Sequence, residues 1–145
     1  MVTSMLGSEK HARLAREMLQ SAARMEIVSI KNVRPGATAT VVLRVHNSGA
    51  GHKLPTGFPE GREMWVDFSV LDGKGKELFR LGRIDGEGRL EAGTRNFKVV
   101  LGDTAGNIID VEVWKASRIL HDNRILPRGY ADVIFDFPVP SDIEE

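Results

Sequence analysis

The chain has 145 residues, no cysteine, and 20 Lys+Arg balanced by 20 Asp+Glu. That length holds one ordinary domain with a buried core and is short for two. The missing thiols exclude disulfides, thiolate metal sites, cysteine nucleophiles and covalent haem attachment, and the balanced, interspersed charge provides no basic field to draw nucleic acid.

The first seven residues, Met1 to Gly7, are too short and polar for a signal peptide, and no apolar run approaches membrane length. The chain as it stands therefore reads as soluble, without membrane insertion, and any export signal would lie outside it. From Ser8, a plausible N-cap, to about residue 23 the spacing predicts a helix. Leu14, Met18 and Ala22 repeat every four residues with Ala15 and Leu19 beside them, an apolar stripe that needs the domain or a neighbour to cover it.

From Met25 the period shortens to two. After the turn Val33-Arg34-Pro35-Gly36, the residues Ala39, Val41, Leu43 and Val45 alternate with more polar neighbours as one strand. Met64, Val66, Phe68 and Val70 mark another strand, and Asp72-Gly73-Lys74-Gly75 a hairpin turn from which Lys76 to Leu81 returns. Phe97 to Leu101 and Asn107 to Trp114 read as two further strands, and Ala131 to Val139 as the last. Stretches 47–62, 82–96 and 117–129 read as irregular. About seven short strands with turn signals predict an all-β, Ig-like antiparallel β-sandwich with one N-terminal α-helix. Its parts are the helix in 1–24, the sandwich in 25–140 and a polar tail in 141–145.

Chemistry concentrates in two segments. The stretch 47–62 carries four glycines, two prolines and His52, and joins two strong strands. It reads either as a long corner whose histidine bonds its own loop, or as a binding site on a rigid scaffold. In 120–129, Asp122 either pairs with Arg124 or caps the loop through backbone amides; with Asn123 it also offers oxygens to calcium, though in no EF-hand spacing. Trp65 either lies under the helix or marks an exposed contact. His11, His46, His52 and His121 have no ligand spacing, no serine occupies a nucleophile elbow, and the carboxylates are scattered.

Residues 45–57 (Val-His-Asn-Ser-Gly-Ala-Gly-His-Lys-Leu-Pro-Thr-Gly), with Arg62-Glu63-Met64-Trp65-Val66, the Asp72–Gly75 turn and Asp122-Asn123-Arg124-Ile125-Leu126-Pro127-Arg128-Gly129, resemble a known arrangement. It is the haem-free C-terminal β domain of exported multihaem c-type cytochromes, and the helix ending Ser21-Ala22-Ala23 resembles the segment linking that domain to the haem-bearing part. The resemblance spans roughly residues 6–140. Without Cys-x-x-Cys-His, this chain matches only the haem-free part. The resemblance implies a non-catalytic accessory or docking domain in electron transfer, periplasmic or extracellular, with no cofactor of its own and haem c in a parent protein. It implies a haem-bearing domain or redox partner as neighbour, His52 as a haem contact through imidazole or propionate, Lys53 and Arg62 at propionates, and Pro55, Thr56 and Gly57 shaping the loop. Trp65, Asp122 and Arg124 complete the expected binding or docking set.

The alternative is a stand-alone β-sandwich module for a small ligand, sugar or calcium. A docking domain should show an apolar patch near the helix or Trp65, and a ligand module a concave pocket with converging polar groups. An enzyme would need a cleft of shifted titrating groups, which the sequence does not announce.

Overall fold

A computed structural model describes residues 7–58, 61–109 and 112–142. The helix α1 spans Glu9–Ala22 and runs without a loop into the first strand. Ser8 precedes it, but its hydroxyl bonds the His11 Nδ1 at 2.8 Å and caps no backbone amide, so the expected side-chain cap is not formed. Ten strands follow among the described residues: β1 Ala23–Lys31, β2 Thr38–Asn47, β3 Met64–Trp65, β4 Phe68–Leu71, β5 Glu77–Leu81, β6 Asn96–Phe97, β7 Val99–Gly102, β8 Ile108–Ile109, β9 Arg118–Asp122 and β10 Tyr130–Pro138. The result is the expected all-β, sandwich-like fold with one N-terminal helix.

One layer is an antiparallel sheet in the order β1-β2-β10, and against it lie the pairs β3–β6 and β4–β5; a further sheet runs β8-β7-β9. The alternation in β2 sends Ala39, Val41, Leu43 and Val45 inward, in register with Phe137, Phe135, Val133 and Ala131 of β10. Val66, Phe97 and Ile125 close the core from the other side. Phe68 of β4 stacks on Phe135 with centroids 4.3 Å apart, and Phe79 of β5 on Phe137 at 5.3 Å. Such ring pairs contribute about 0.5–1.5 kcal/mol each beyond area burial, which ties the β4–β5 hairpin to the sheet.

Four sequence-based boundaries change. The single strand expected over 97–101 divides at Lys98 into β6 and β7, which pair in different sheets. The single strand expected over 64–71 is two, because Val66 turns its amide to the Arg95 carbonyl (3.1 Å) and Asp67 leaves the ladder to grip Arg80. The strand expected over 107–114 pairs only at Ile108–Ile109; Asp110 and Val111 lie outside the described residues, and Val113–Lys115 is a 3-10 turn carrying an exposed Trp114. Conversely, the supposedly irregular 117–129 contains β9. Most of its side chains are exposed on both faces, so it shows no alternation, and backbone pairing to β7 alone defines it. The tail expected over 141–145 is described only to residue 142.

The helix keeps most of its stripe uncovered. Ala12 is its one buried residue among those described, while Leu14, Met18 and Leu19 are exposed. No helix among the described residues is long and apolar enough to cross a membrane.

Candidate docking groove

The site begins with the inward parity of β2. Positions 39, 41, 43 and 45 face the core, and so does Asn47, 1% exposed at the strand end. A buried amide must find partners or lose its hydration uncompensated. Its Nδ2 donates to the His52 carbonyl at 2.7 Å and to the Ile125 carbonyl at 3.1 Å. Its backbone amide donates to Gly129, and its carbonyl accepts from Arg128 (3.0 and 3.1 Å). Leu54 and Ile125 then exchange two backbone bonds of 2.9 Å. Asn47 thereby fastens the histidine loop to the 122–129 segment, although 78 positions separate it from Ile125 in sequence.

Ion pairing secures the same junction. Arg124 grips Asp122 with two side-chain bonds of 2.8 Å and one from its own backbone amide at 3.2 Å, so pairing and capping both occur. Lys53 adds a bond of 2.7 Å. Hydrogen bonds from Arg124, and then from Lys53, hold the Asp122 carboxyl well below the usual carboxylate range despite partial burial. Asn123 is also committed, its Oδ1 accepting from the Lys98 amide and its Nδ2 donating to the Asn96 carbonyl, each at 2.8 Å. The oxygens a calcium ion would require are thus occupied by cations and amides. No group of three His, Asp or Glu capable of holding a metal occurs among the described residues.

On its other side the loop meets the helix. The Gly49 amide donates to the Ala22 carbonyl at 3.1 Å, and a Cβ at Gly49 would overlap the Ser21 carbonyl. Only glycine permits that approach. Between the helix end, the loop from Gly49 to Gly57 and the segment 61–65 lies a groove of about 870 Å³ with predominantly apolar walls. Met18 and Leu19 form part of one wall, and Trp65 stands in another. The indole is half-buried and fixed by donation from Nε1 to the Gly82 carbonyl (3.1 Å). Gly57, at φ +102°, makes room for Arg62, whose Nη1 donates to the Thr56 carbonyl at 2.9 Å.

His52 is exposed and contributes to the groove lining. Its Nδ1 lies 3.1 Å from the Lys53 carbonyl. A carbonyl only accepts, so Nδ1 carries the proton and the lone pair of the neutral ring sits on Nε2. No partner occupies Nε2 among the described residues. An imidazole oriented through Nδ1–H to a backbone carbonyl is the usual arrangement of a ligating histidine.

Of the residues expected from sequence, the groove brings together His52, Pro55, Thr56, Gly57, Arg62 and Trp65. Lys53, Asp122 and Arg124 do not line it and form the ion cluster at the loop junction. The other histidines lie apart: His11 bonds Ser8, His46 bonds Glu26, and His121 is exposed on β9 opposite Val100. Sequence reasoning missed Asn47 and Gly49. The signal for Asn47 was present, because position 47 continues the inward parity of β2.

No family model matches the chain. No curated protein matches it either. Among solved structures it is similar to a penta-heme cytochrome c552 from Thermochromatium tepidum, with 18% identity and a TM-score of 0.61. The match covers 87% of this chain and 30% of that one, so the chain spans under a third of the cytochrome's length. At this identity the likeness establishes a shared fold: the helix-fronted β-sandwich of this chain occurs as part of a multihaem cytochrome.

Proposed function

We propose that the chain is a non-catalytic accessory domain of an exported multihaem c-type cytochrome, acting in electron transfer by docking a haem-bearing domain or redox partner at the groove. The observation that carries this reading is the junction at Asn47. It joins the two segments that resemble the cytochrome β domain and backs a loop that presents His52 beside an apolar groove. The fold shared with a penta-heme cytochrome supports it. The uncovered helix stripe beside the groove also fits a docking domain.

The residues fit a haem contributed by a neighbour and exclude one attached here, because the chain has no thiol. His52, its Nδ1–H held by a carbonyl, offers Nε2 to a haem edge or iron, and Arg62 adds a cation on the groove lining; Lys53 is instead paired with Asp122. The haem supplies the redox chemistry, and this chain positions, shields and excludes water. The shifted titrating groups among the described residues sit in surface ion pairs, Asx-type turns and the Asp122 cluster, and none but Glu63 lines the groove, which favours docking over catalysis. Periplasmic or extracellular placement follows from the same reading.

Absorption titration with ferric haem tests the imidazole. The expected result is a Soret shift with a high-spin, single-imidazole ferric spectrum for the native chain that is lost in His52→Ala and retained in His121→Ala. Identical spectra for the native chain and His52→Ala would overturn the role of His52.

A further inference from the structure

The strand β1 lies at the edge of its sheet and pairs only with β2. Its register sets Met25, Ile27 and Ile30 against Val45, Leu43 and Val41, so all three point to the core side. Yet they are 61%, 61% and 54% exposed, because the opposing layer stops short of them. A nine-residue edge strand with an uncovered apolar face is a template for another strand.

The charges on the opposite face of β1 identify what fits. Two copies can pair antiparallel about a two-fold axis with their apolar faces on the same side. An axis at Arg24 opposes Arg24 to itself, and one at Glu26 opposes Glu26 to itself. An axis at Met25 sets Arg24 of each copy opposite Glu26 of the other, with Met25 on Met25 and Ala23 on Ile27. Opposite charges across a strand pair stabilise it, and like charges destabilise it. The irregularity between Ile27 and Ser29 limits the regular stretch of β1 around this axis to Ala23–Ile27.

We propose that β1 is a self-association edge and that the occupant of this face is a second copy of the chain, paired β1 to β1 about Met25. The proposal stands apart from the groove and does not depend on its ligand.

Sedimentation equilibrium of the full chain from about 1 to about 100 µM at low salt tests it. The expected result is a monomer–dimer equilibrium that Glu26→Arg weakens at least tenfold and that the double reversal Arg24→Glu with Glu26→Arg restores. Glu26 also bonds His46 (2.9 Å) and Arg24 of its own chain (3.1 Å), so Met25→Lys, which touches neither pair, serves as the deciding second variant; residue 25 is exposed in the monomer and opposes itself at the axis. It is expected to abolish the dimer while leaving the circular dichroism unchanged. A monomer at every concentration, a dimer indifferent to Glu26→Arg and Met25→Lys, or a double variant no better than the single one would overturn the proposal.

Discussion

The two neighbours of β2 share one antiparallel sheet and alternate in the same way, yet they have opposite fates. On β10, Val133, Phe135 and Phe137 are buried beneath the β4–β5 hairpin and its partners. On β1, Met25, Ile27 and Ile30 point to the same side and remain open. Period-two alternation therefore reports which way side chains point; whether anything covers them depends on how far the opposing layer extends. The covered flank builds the scaffold, and the open flank is left for association.

Four outcomes would sharpen or break that contrast. Phe135→Ala removes a side chain only 2% exposed and stacked on Phe68, and should destabilise the fold by about 3–5 kcal/mol in urea unfolding. A loss below about 1 kcal/mol would mean that β10 is less well packed than its burial indicates. Asn47→Ala removes the buried donor of the His52 carbonyl and leaves the Ile125 carbonyl with the Leu54 amide alone; it should cost about 2 kcal/mol, with faster amide exchange at Leu54 and Ile125.

The third outcome concerns acid. Asp122 is held ionised, with its folded pKa depressed below the unfolded value of about 3.9. Its contribution is fully present above that unfolded value and is lost as pH falls through and below it. Melting temperature should therefore decline on acidification below about pH 4, and Asp122→Asn should flatten that decline. The smallest effect belongs to β1. Ile27→Ser in the dilute monomer should change stability by no more than about 0.5 kcal/mol, because the side chain is already in water. A cost like that of Phe135→Ala would show that β1 is covered after all.

Much of the scaffold was legible because β2 and β10 obey strict alternation and the Asp72–Gly75 turn uses its side chain to bind the Lys74 and Lys76 amides. The strand β9 was hidden because Ile119, Leu120 and His121 are exposed and leave no periodic trace. The groove loop was legible from its glycines and His52, but the contact between residues 47–54 and 122–129 was not. Such contact rests on the Asn47 side chain, four backbone bonds and the Lys53–Asp122 pair between distant positions, which local spacing cannot reveal. The pairing of Gly49 with the helix end was likewise invisible, since a backbone approach leaves no mark beyond the glycine itself.

The most direct test of the docking role is an amide NMR titration of the chain with a multihaem c-type cytochrome, using the paramagnetic haems as relaxation probes. The expected result is broadening confined to the groove, at Met18, Gly51, His52 and Trp65, and abolished by a Trp65→Ala and His52→Ala double variant. Broadening spread evenly over the surface, centred on β7–β9, or absent at every ratio would contradict the assignment of this groove as the docking site.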